Sequence, residues 1–386
     1  MCETHTNAEK NPIFSSSAVP RFASESIRVM IDVMKSLIVA TLAITSAASA
    51  QWQQSTGTAA LNFQSLISRG PTVFAGGATG AYRSENNATS FTFSNSGNNA
   101  VGPTRGFASD ETYIYTCTSQ GVFRSANNGI NWIPKSTGLS SLLSHGIIQA
   151  QSKLFVVGPT GAFRSDNQGE SWTAAGMAGI DTRCITAIDS TLFVGTNGTG
   201  VYKSTNWGAS WTAINTGLAS TNIRAIEAKG TTLFAGGQIG TGVYRSTDLG
   251  ANWTLLAGGL ATGSYRGFAH DDRLIVAGSF GDGVFYSVDN GDKWTQINVG
   301  LTDMTIFDLE IHQGNIVAAT NTNGVFWYAI VNTLNLAGDS CIDGSDLSAF
   351  LGAWGACTDC AADFNGDNLV DGADLVLLLS NWGVCG

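Results

Sequence analysis

Residues Gly242–Trp253, GVYRSTDLGANW, decide the fold, because variants of this stretch recur along the chain. Gly121–Trp132 reads GVFRSANNGINW and Gly161–Trp172 reads GAFRSDNQGESW. Gly200–Trp211 reads GVYKSTNWGASW and Gly283–Trp294 reads GVFYSVDNGDKW. A weaker copy, GAYRSENNATSF, runs from Gly80 to Phe91, and a half copy, GVFWYA, starts at Gly324. The leading glycines lie 41, 40, 39, 42, 41 and 41 residues apart. A fixed period of this length marks an array of like supersecondary units.

Each column has a physical role. Val-Phe or Val-Tyr followed by Arg-Ser alternates apolar and polar, as expected of a half-buried strand. Two residues past the Ser stand Asn86, Asn127, Asn167, Asn206, Asp248 and Asp289. Such side chains bond backbone N–H groups two residues on and close turns. Gly129, Gly169, Gly208, Gly250 and Gly291 supply a position tolerant of positive φ. The Trp opens the next strand and is expected to pack between neighbouring sheets. Copy one has Ala88 for Gly and Phe91 for Trp, which predicts a looser turn.

The pattern Ser-x-Asp-x-Gly-x-x-Trp resembles the Asp-box, or BNR repeat, of sialidases, xyloglucanases, sortilin-type receptors and photosystem II assembly factors. The resemblance covers about residues 51–330 and implies a β-propeller. In that family the box is a folding element away from the active site, so it carries no function by itself. Between boxes come a turn such as Thr216-Gly217-Leu218, a strand such as IRAIEA at Ile223 and another such as TLFAGG at Thr232. That makes four strands per unit, a propeller blade.

The ends of the repeat region set the blade count. Gln51–Gly57, QWQQSTG, matches the segment that follows a box, as in Asn131–Gly138, so Trp52 is a box Trp with no box before it. The last unit, from Gly324, lacks the strand that such a Trp opens. The N-terminal strand is therefore expected to complete the final blade, giving an all-β, seven-bladed ring with no open sheet edge.

Composition narrows the function classes. Of 386 residues, 47 are Gly and only 12% are charged, which suits an all-β fold of short strands. Lys and Arg number 19 against a net charge of −10, which argues against a nucleic-acid partner. Residues 34–50, MKSLIVATLAITSAASA, read as a secretory signal ending at Ala48-Ser49-Ala50. The alternative, a membrane anchor, is disfavoured by the shortness of the run. Residues 1–50 are thus read as leader and signal, with the mature chain starting near Gln51, secreted or held at the cell surface, monomeric and without a membrane span.

From about Leu334 the composition changes. Residues 335–386 hold eight Asp and no Lys or Arg. Within them Asp363–Asp374, DFNGDNLVDGAD, is a twelve-residue loop with side-chain oxygens at Asp363, Asn365, Asp367, Asp371 and Asp374 and the Leu369 carbonyl at position 7. A hard cation such as calcium takes a shell of oxygens at these alternating positions, as in an EF-hand. Leu375, Leu378, Leu379 and Trp382 then fall on one helical face, and Leu347, Phe350, Leu351 and Trp354 repeat that face 28 residues earlier. The earlier loop, Asn335–Asp346, keeps Asp339, Asp343 and Asp346, with Cys341 at position 7, and is expected to bind more weakly because Ala337 removes a ligand. Two loop–helix units with Asp at position 12 resemble a type I dockerin of the planctomycete kind. The resemblance covers about 52 residues and implies residues 331–386 as an α-helical calcium module that docks on a cohesin-like or cell-surface partner. Cys341, Cys357, Cys360 and Cys385 crowd into it, where disulfides are the default in an exported domain and a zinc half-site at Cys357-x-x-Cys360 the alternative. Cys117 and Cys184 fall in blades two and four and are expected to be buried and unpaired.

One further column is not explained by the box. At the start of each innermost strand stand Gln64, Arg105, His145, Arg183, Arg224, Arg266 and Phe307. Four Arg and His145 would ring one mouth of the central channel and favour a carboxylate or sulfate, on an anionic glycan or a protein segment. The competing expectation is that each Arg bonds carbonyls of the adjacent blade. Arg83, Arg124, Arg164 and Arg245, inside the box strand, are read as structural. For catalysis Asp181, Glu227 and Asp308 are candidates, but no local motif pairs them, and a glycosidase needs two carboxylates across the sugar bond. The expected function is therefore a non-catalytic binding propeller. A glycoside hydrolase and an assembly factor for a membrane complex are the alternatives.

Overall fold

The computed structural model describes residues 51–94, 102–238, 240–330, 336, 342–356, 362 and 369–380, all within the unit Ala48–Gly386. Residues 1–50, Trp382 and the cysteines of the C-terminal segment lie outside the described residues. Residues 53–329 form seven four-stranded antiparallel sheets. Blade 5 is typical: Ile223–Lys229, Thr232–Gly237, Val243–Ser246 and Thr254–Leu255, from the channel outward. The seventh sheet closes as the unpaired ends of the repeat predicted. Gln53–Gln54 pairs antiparallel with Val325–Ala329, through Gln53 opposite Trp327 and Gln54 opposite Phe326.

The core lies between blades. The blades bury both faces of their second strands and, in most, of the third against their neighbours, so Val122, Phe123 and Ser125 are all buried. Strict alternation is therefore absent there, because a neighbouring sheet covers the face that solvent would otherwise wet. The box tryptophans sit at these junctions. Trp132, Trp172, Trp211 and Trp253 donate their indole N–H to Ser94, Lys135, Ala175 and Ile214 O of the preceding blade at 2.7–2.8 Å. Trp52 does the same to Ile297 O across the closure. Trp294 departs, donating to Gly291 O within its own turn.

The turn works through the Ser, not only through the Asx residue. Ser125 Oγ accepts from Gly129 N at 2.9 Å and donates to Asn127 Oδ1, which accepts from Asn131 N four residues on. The expected span of two residues was too short, because seven residues stand between the strands. The residue before each turn glycine also takes positive φ, from Asn128 at 52° to Trp207 at 59°. In copy one, Ala88 adopts φ 63° and keeps the same bonds, Ala88 N to Ser84 Oγ at 3.1 Å and Ser90 N to Asn86 Oδ1 at 3.0 Å. That turn is strained rather than loose.

The box-strand cations hold the next blade. Arg83, Arg124, Arg164, Lys203 and Arg245 donate to the carbonyls of Asn128, Gln168, Trp207, Leu249 and Asn290, the positive-φ residues of the following turn. The structural reading of these arginines holds.

In the C-terminal segment, helices span Gly344–Gly352 and Gly372–Ser380. Ile342, Phe350, Ala362, Val370 and Leu378 form a small core, with Leu347 and Leu375 at its edge. Leu351, Trp354 and Leu379 are exposed, contrary to the expected shared face. Trp354 lies beyond the C-cap Ala353, where helical spacing no longer applies, and Leu379 is turned about 100° from the buried Leu378. Among the described residues no helix is long and apolar enough to cross a membrane.

Candidate functional site

The arginine column is aimed by a repeated defect in the sheets. In six blades the innermost strand slips register at its start: Phe63/Ser65, Thr104/Gly106, Thr182/Cys184, Ile223/Ala225, Tyr265/Gly267 and Ile306/Asp308. The residue passed over is Gln64, Arg105, Arg183, Arg224, Arg266 or Phe307. A bulged residue leaves the ladder and its side chain is re-aimed. In blade 3 His145 holds the same place just before Gly146, its N–H donating to Val157 O at 2.8 Å. All seven side chains line one cavity of about 320 Å³.

The guanidinium groups are not quenched by the neighbouring blade. Arg183 pairs with Asp181, which also accepts from Asn197 Nδ2 at 3.0 Å and lies 3.5 Å from His145 Nδ1. Asp181 is thereby absorbed into the rim. No hydrogen bond joins Arg105, Arg224 or Arg266 to another described residue, and the Nε atoms of all four arginines are buried without an acceptor. Arg266 instead stacks 3.9 Å over the Phe280 ring and 5.2 Å from that of Phe307. Burial, then repulsion from the neighbouring guanidinium, pulls the Arg224 and Arg266 pKa values down. Burial also holds His145 below the ordinary imidazole value, despite its 3.0 Å contact with Thr182 O. A cluster of desolvated, mutually repelling cations lowers its energy by gathering an anion.

Below the arginines the wall changes sign. Glu227 of blade 5 and Asp308 of blade 7 line the same cavity, and with His270 and Glu310 they line a further space of about 340 Å³. Asp308 accepts from Leu66 N at 2.8 Å and from Leu309 N at 3.0 Å, yet burial still pushes its carboxyl up to about 8. Burial likewise pushes Glu310 up to about 7. His270 Nε2 lies 3.4 Å from Glu227 Oε1, and that carboxylate raises its pKa. So the channel brings together two of the three candidate carboxylates, Glu227 and Asp308, and adds Glu310 and His270, which sequence reading missed. The available signal was alternation from Asp308 to Glu310 along one innermost strand. Cys117 is buried as expected, but Cys184 is only half-buried at the cavity wall, because it follows the bulged Arg183. Burial pushes both thiols up to about 12, so neither is a ready nucleophile.

In the C-terminal segment, Asp363, Asn365, Asp367, Asp339 and Cys341 lie outside the described residues. Asp346 Oδ2 accepts from Asp343 N at 2.8 Å, and Asp374 Oδ2 from Asp371 N at 3.0 Å. Asp343 caps its helix by accepting from Ser345 N. Leu369 pairs with Ala356 in a two-residue ladder that ends at Val370. Asp346 and Asp374 are fully buried in a stretch whose sequence has no Lys or Arg. Carboxylate oxygens are donors of the kind that a hard cation such as calcium takes. Among the described residues no group of three His, Cys, Asp or Glu is close enough to hold a metal alone.

No protein-family model matches the sequence, and no curated protein matches it. Solved structures do resemble the fold. The Niastella koreensis GH74 enzyme aligns with a TM-score of 0.56 at 16% identity, over 72% of this chain and 44% of that one. The extracellular domain of the one-component system BT4673 from B. thetaiotaomicron aligns at 0.60 and 13%, over 72% and 39%. YCF48 bound to D1 peptide aligns at 0.57 and 13%, over 73% and 96%. The chain thus spans less than half of the first two and nearly all of the third. At these identities the likeness establishes a seven-bladed propeller and nothing finer.

Proposed function

We propose that this protein is an exported binding propeller whose channel mouth captures an anionic group, a carboxylate or sulfate on a glycan or protein segment. The observation that carries the reading is the set of buried, unaccepted Nε atoms of Arg105, Arg183, Arg224 and Arg266 around one cavity. His145 lines the same arc, with its Nδ1–H donated to Thr182 O. The repeats are Asp-boxes on this reading, serving as blade-to-blade fasteners. The C-terminal segment is a dockerin-like module whose two loops take calcium, the second more tightly, and which fixes the propeller to a cohesin-like or cell-surface partner. Asp363, Asn365, Asp367, Asp371, Asp374 and the Leu369 carbonyl would hold the ion in the second loop, and Asp339, Cys341 (through its carbonyl), Asp343 and Asp346 in the first.

The test is an acidic-ligand panel with the triple variant Arg105→Ala, Arg224→Ala, Arg266→Ala. Retention of carboxylated or sulfated ligands is expected for the parent, with loss in added salt and in the folded variant. Equal retention by the variant refutes the reading. A second reading, a glycoside hydrolase, draws on Glu227 and Asp308 facing one cavity with Asp308 held protonated, as a general acid must be. Reducing sugar released from a polysaccharide by the parent and not by Asp308→Asn would favour it over the first. GH74 is an enzyme and YCF48 is seen with a peptide, so fold likeness alone does not choose.

A further inference from the structure

The cavity beneath the arginines is not uniformly basic, and its polarity has a direction. Arg224 is bulged and Glu227 stands two regular residues beyond Ala225 on the same innermost strand, so Glu227 sits roughly 7 Å further along the channel at about 3.3 Å per residue. Asp308 follows the bulged Phe307 directly, on a blade where the ring carries no charge, and Glu310, two residues on, stands at the register of Glu227. The wall between the two levels is apolar or neutral: Ile226, Phe268 and the glycine Gly267 share the cavity, and Leu66, Leu309 and Ile311 line the space below.

Carboxyl groups outnumber basic groups at the lower level. Three carboxyl groups, Glu227, Asp308 and Glu310, face one imidazole, His270, which is already engaged by Glu227 at 3.4 Å. No Lys or Arg is among the residues lining that space. A ligand with an anion at each end would set its inner charge against Glu227 and Asp308. A simple monoanion would satisfy the arginines and leave the lower carboxyls facing apolar wall or water. A ligand with a cation at its inner end answers both levels.

We propose, resting on the anion-binding reading above, that the cavity takes a small zwitterion. Its carboxylate or sulfonate lies among Arg105, Arg224 and Arg266, and its ammonium lies against Glu227 and Asp308, with an aliphatic spacer between. The cavity of about 320 Å³ is at the small end for ligand pockets and suits a molecule of this size. Glu227 and Asp308 are then the specificity residues, turning a general anion mouth into one that rejects diacids. Burial keeps protons on Asp308 and Glu310 near neutral pH, so an arriving ammonium displaces a proton, and binding is accompanied by proton release.

The test uses the whole protein and three matched ligand series: ω-amino acids from glycine to 6-aminohexanoate, the alkanoates of equal length, and the corresponding diacids. Calorimetry is run at pH 7 in two buffers of different ionisation heat. One length of amino acid is expected to bind at least tenfold tighter than its alkanoate, and the diacid more weakly than either, with heat that depends on the buffer. In Glu227→Gln and Asp308→Asn the preference for the amino acid should shrink to about twofold or less. Alkanoate and amino acid binding equally to the parent would overturn the zwitterion proposal and leave the anion mouth standing. Binding by none of the three series would overturn both. Because the parent alone decides the preference, a variant that fails to fold does not rescue the proposal.

Discussion

Asp308→Asn isolates the cost of placing a carboxyl in the channel. In the folded chain this carboxyl is raised from 3.8 to about 8, first by burial, while Leu66 and Leu309 N–H bonds pull the other way. In the unfolded chain it ionises near its ordinary value. Between those two values the unfolded state holds fewer protons, so parent stability falls as pH rises; below the lower value both states are protonated and the cost is absent. A shift of about 4 units at roughly 1.4 kcal/mol each caps the cost at about 6 kcal/mol. Water in the open channel and relaxation around the group reduce it, and about 3 kcal/mol is the working figure. The Asn side chain keeps one acceptor and loses the other, costing about 1–3 kcal/mol at every pH. The variant should therefore be less stable than the parent near pH 4.5 and equal or more stable near pH 8.5. Glu310, raised to about 7 beside it, titrates as part of the same group, so the pair's midpoint also shifts in the variant. Urea unfolding followed by tryptophan fluorescence at a series of pH values measures the difference. Two stability curves that stay parallel within about 0.5 kcal/mol over that range would refute the burial argument.

The other expectations concern the repeat, the closure and the imidazole. Gly169→Ala has room, since its Cβ would meet nothing nearer than Lys135 Cβ at 3.6 Å, so only positive φ is penalised and the loss should be about 1–2 kcal/mol. Gly129→Ala places its Cβ 2.5 Å from the buried Phe74 ring and should cost about 2–4 kcal/mol; equal losses by thermal denaturation would contradict the turn analysis. Trp52→Ala removes the indole that seals blade 7 against its neighbour, and about 3–5 kcal/mol of stability should go with it, read from the urea midpoint. Glu227→Gln removes the group that raises His270, leaving burial as the main influence, so an NMR titration should find the imidazole below its ordinary value. The stability lent by the parent pair is full below about pH 6.5 and fades as pH rises through the raised His270 value, so the variant's deficit should shrink in alkaline buffer.

The sequence by itself determined the blade. A period near 41 residues, a Trp without a box at residue 52 and a final unit lacking that strand are enough to require seven blades and a closure between the two ends. They suffice because hydrogen-bonded turns and strand alternation are local, and a repeated local unit can bury its faces only against copies of itself. The column Arg105, His145, Arg183, Arg224, Arg266 was equally visible, since a repeat aligns its own equivalent positions. Tertiary structure decided what that column meets. Whether Arg83 and Arg224 are fasteners or ligand groups depends on which carbonyl stands within reach, and only the packed ring sets Asn128 O beside the one and no acceptor beside the Nε of the other. The same holds for Glu227, His270, Asp308 and Glu310. They come from three blades more than 80 residues apart at the extremes, and their burial and mutual repulsion arise only when the ring closes around one axis. Spacing in a chain fixes contacts across a turn; the field inside a channel is a sum over every blade at once.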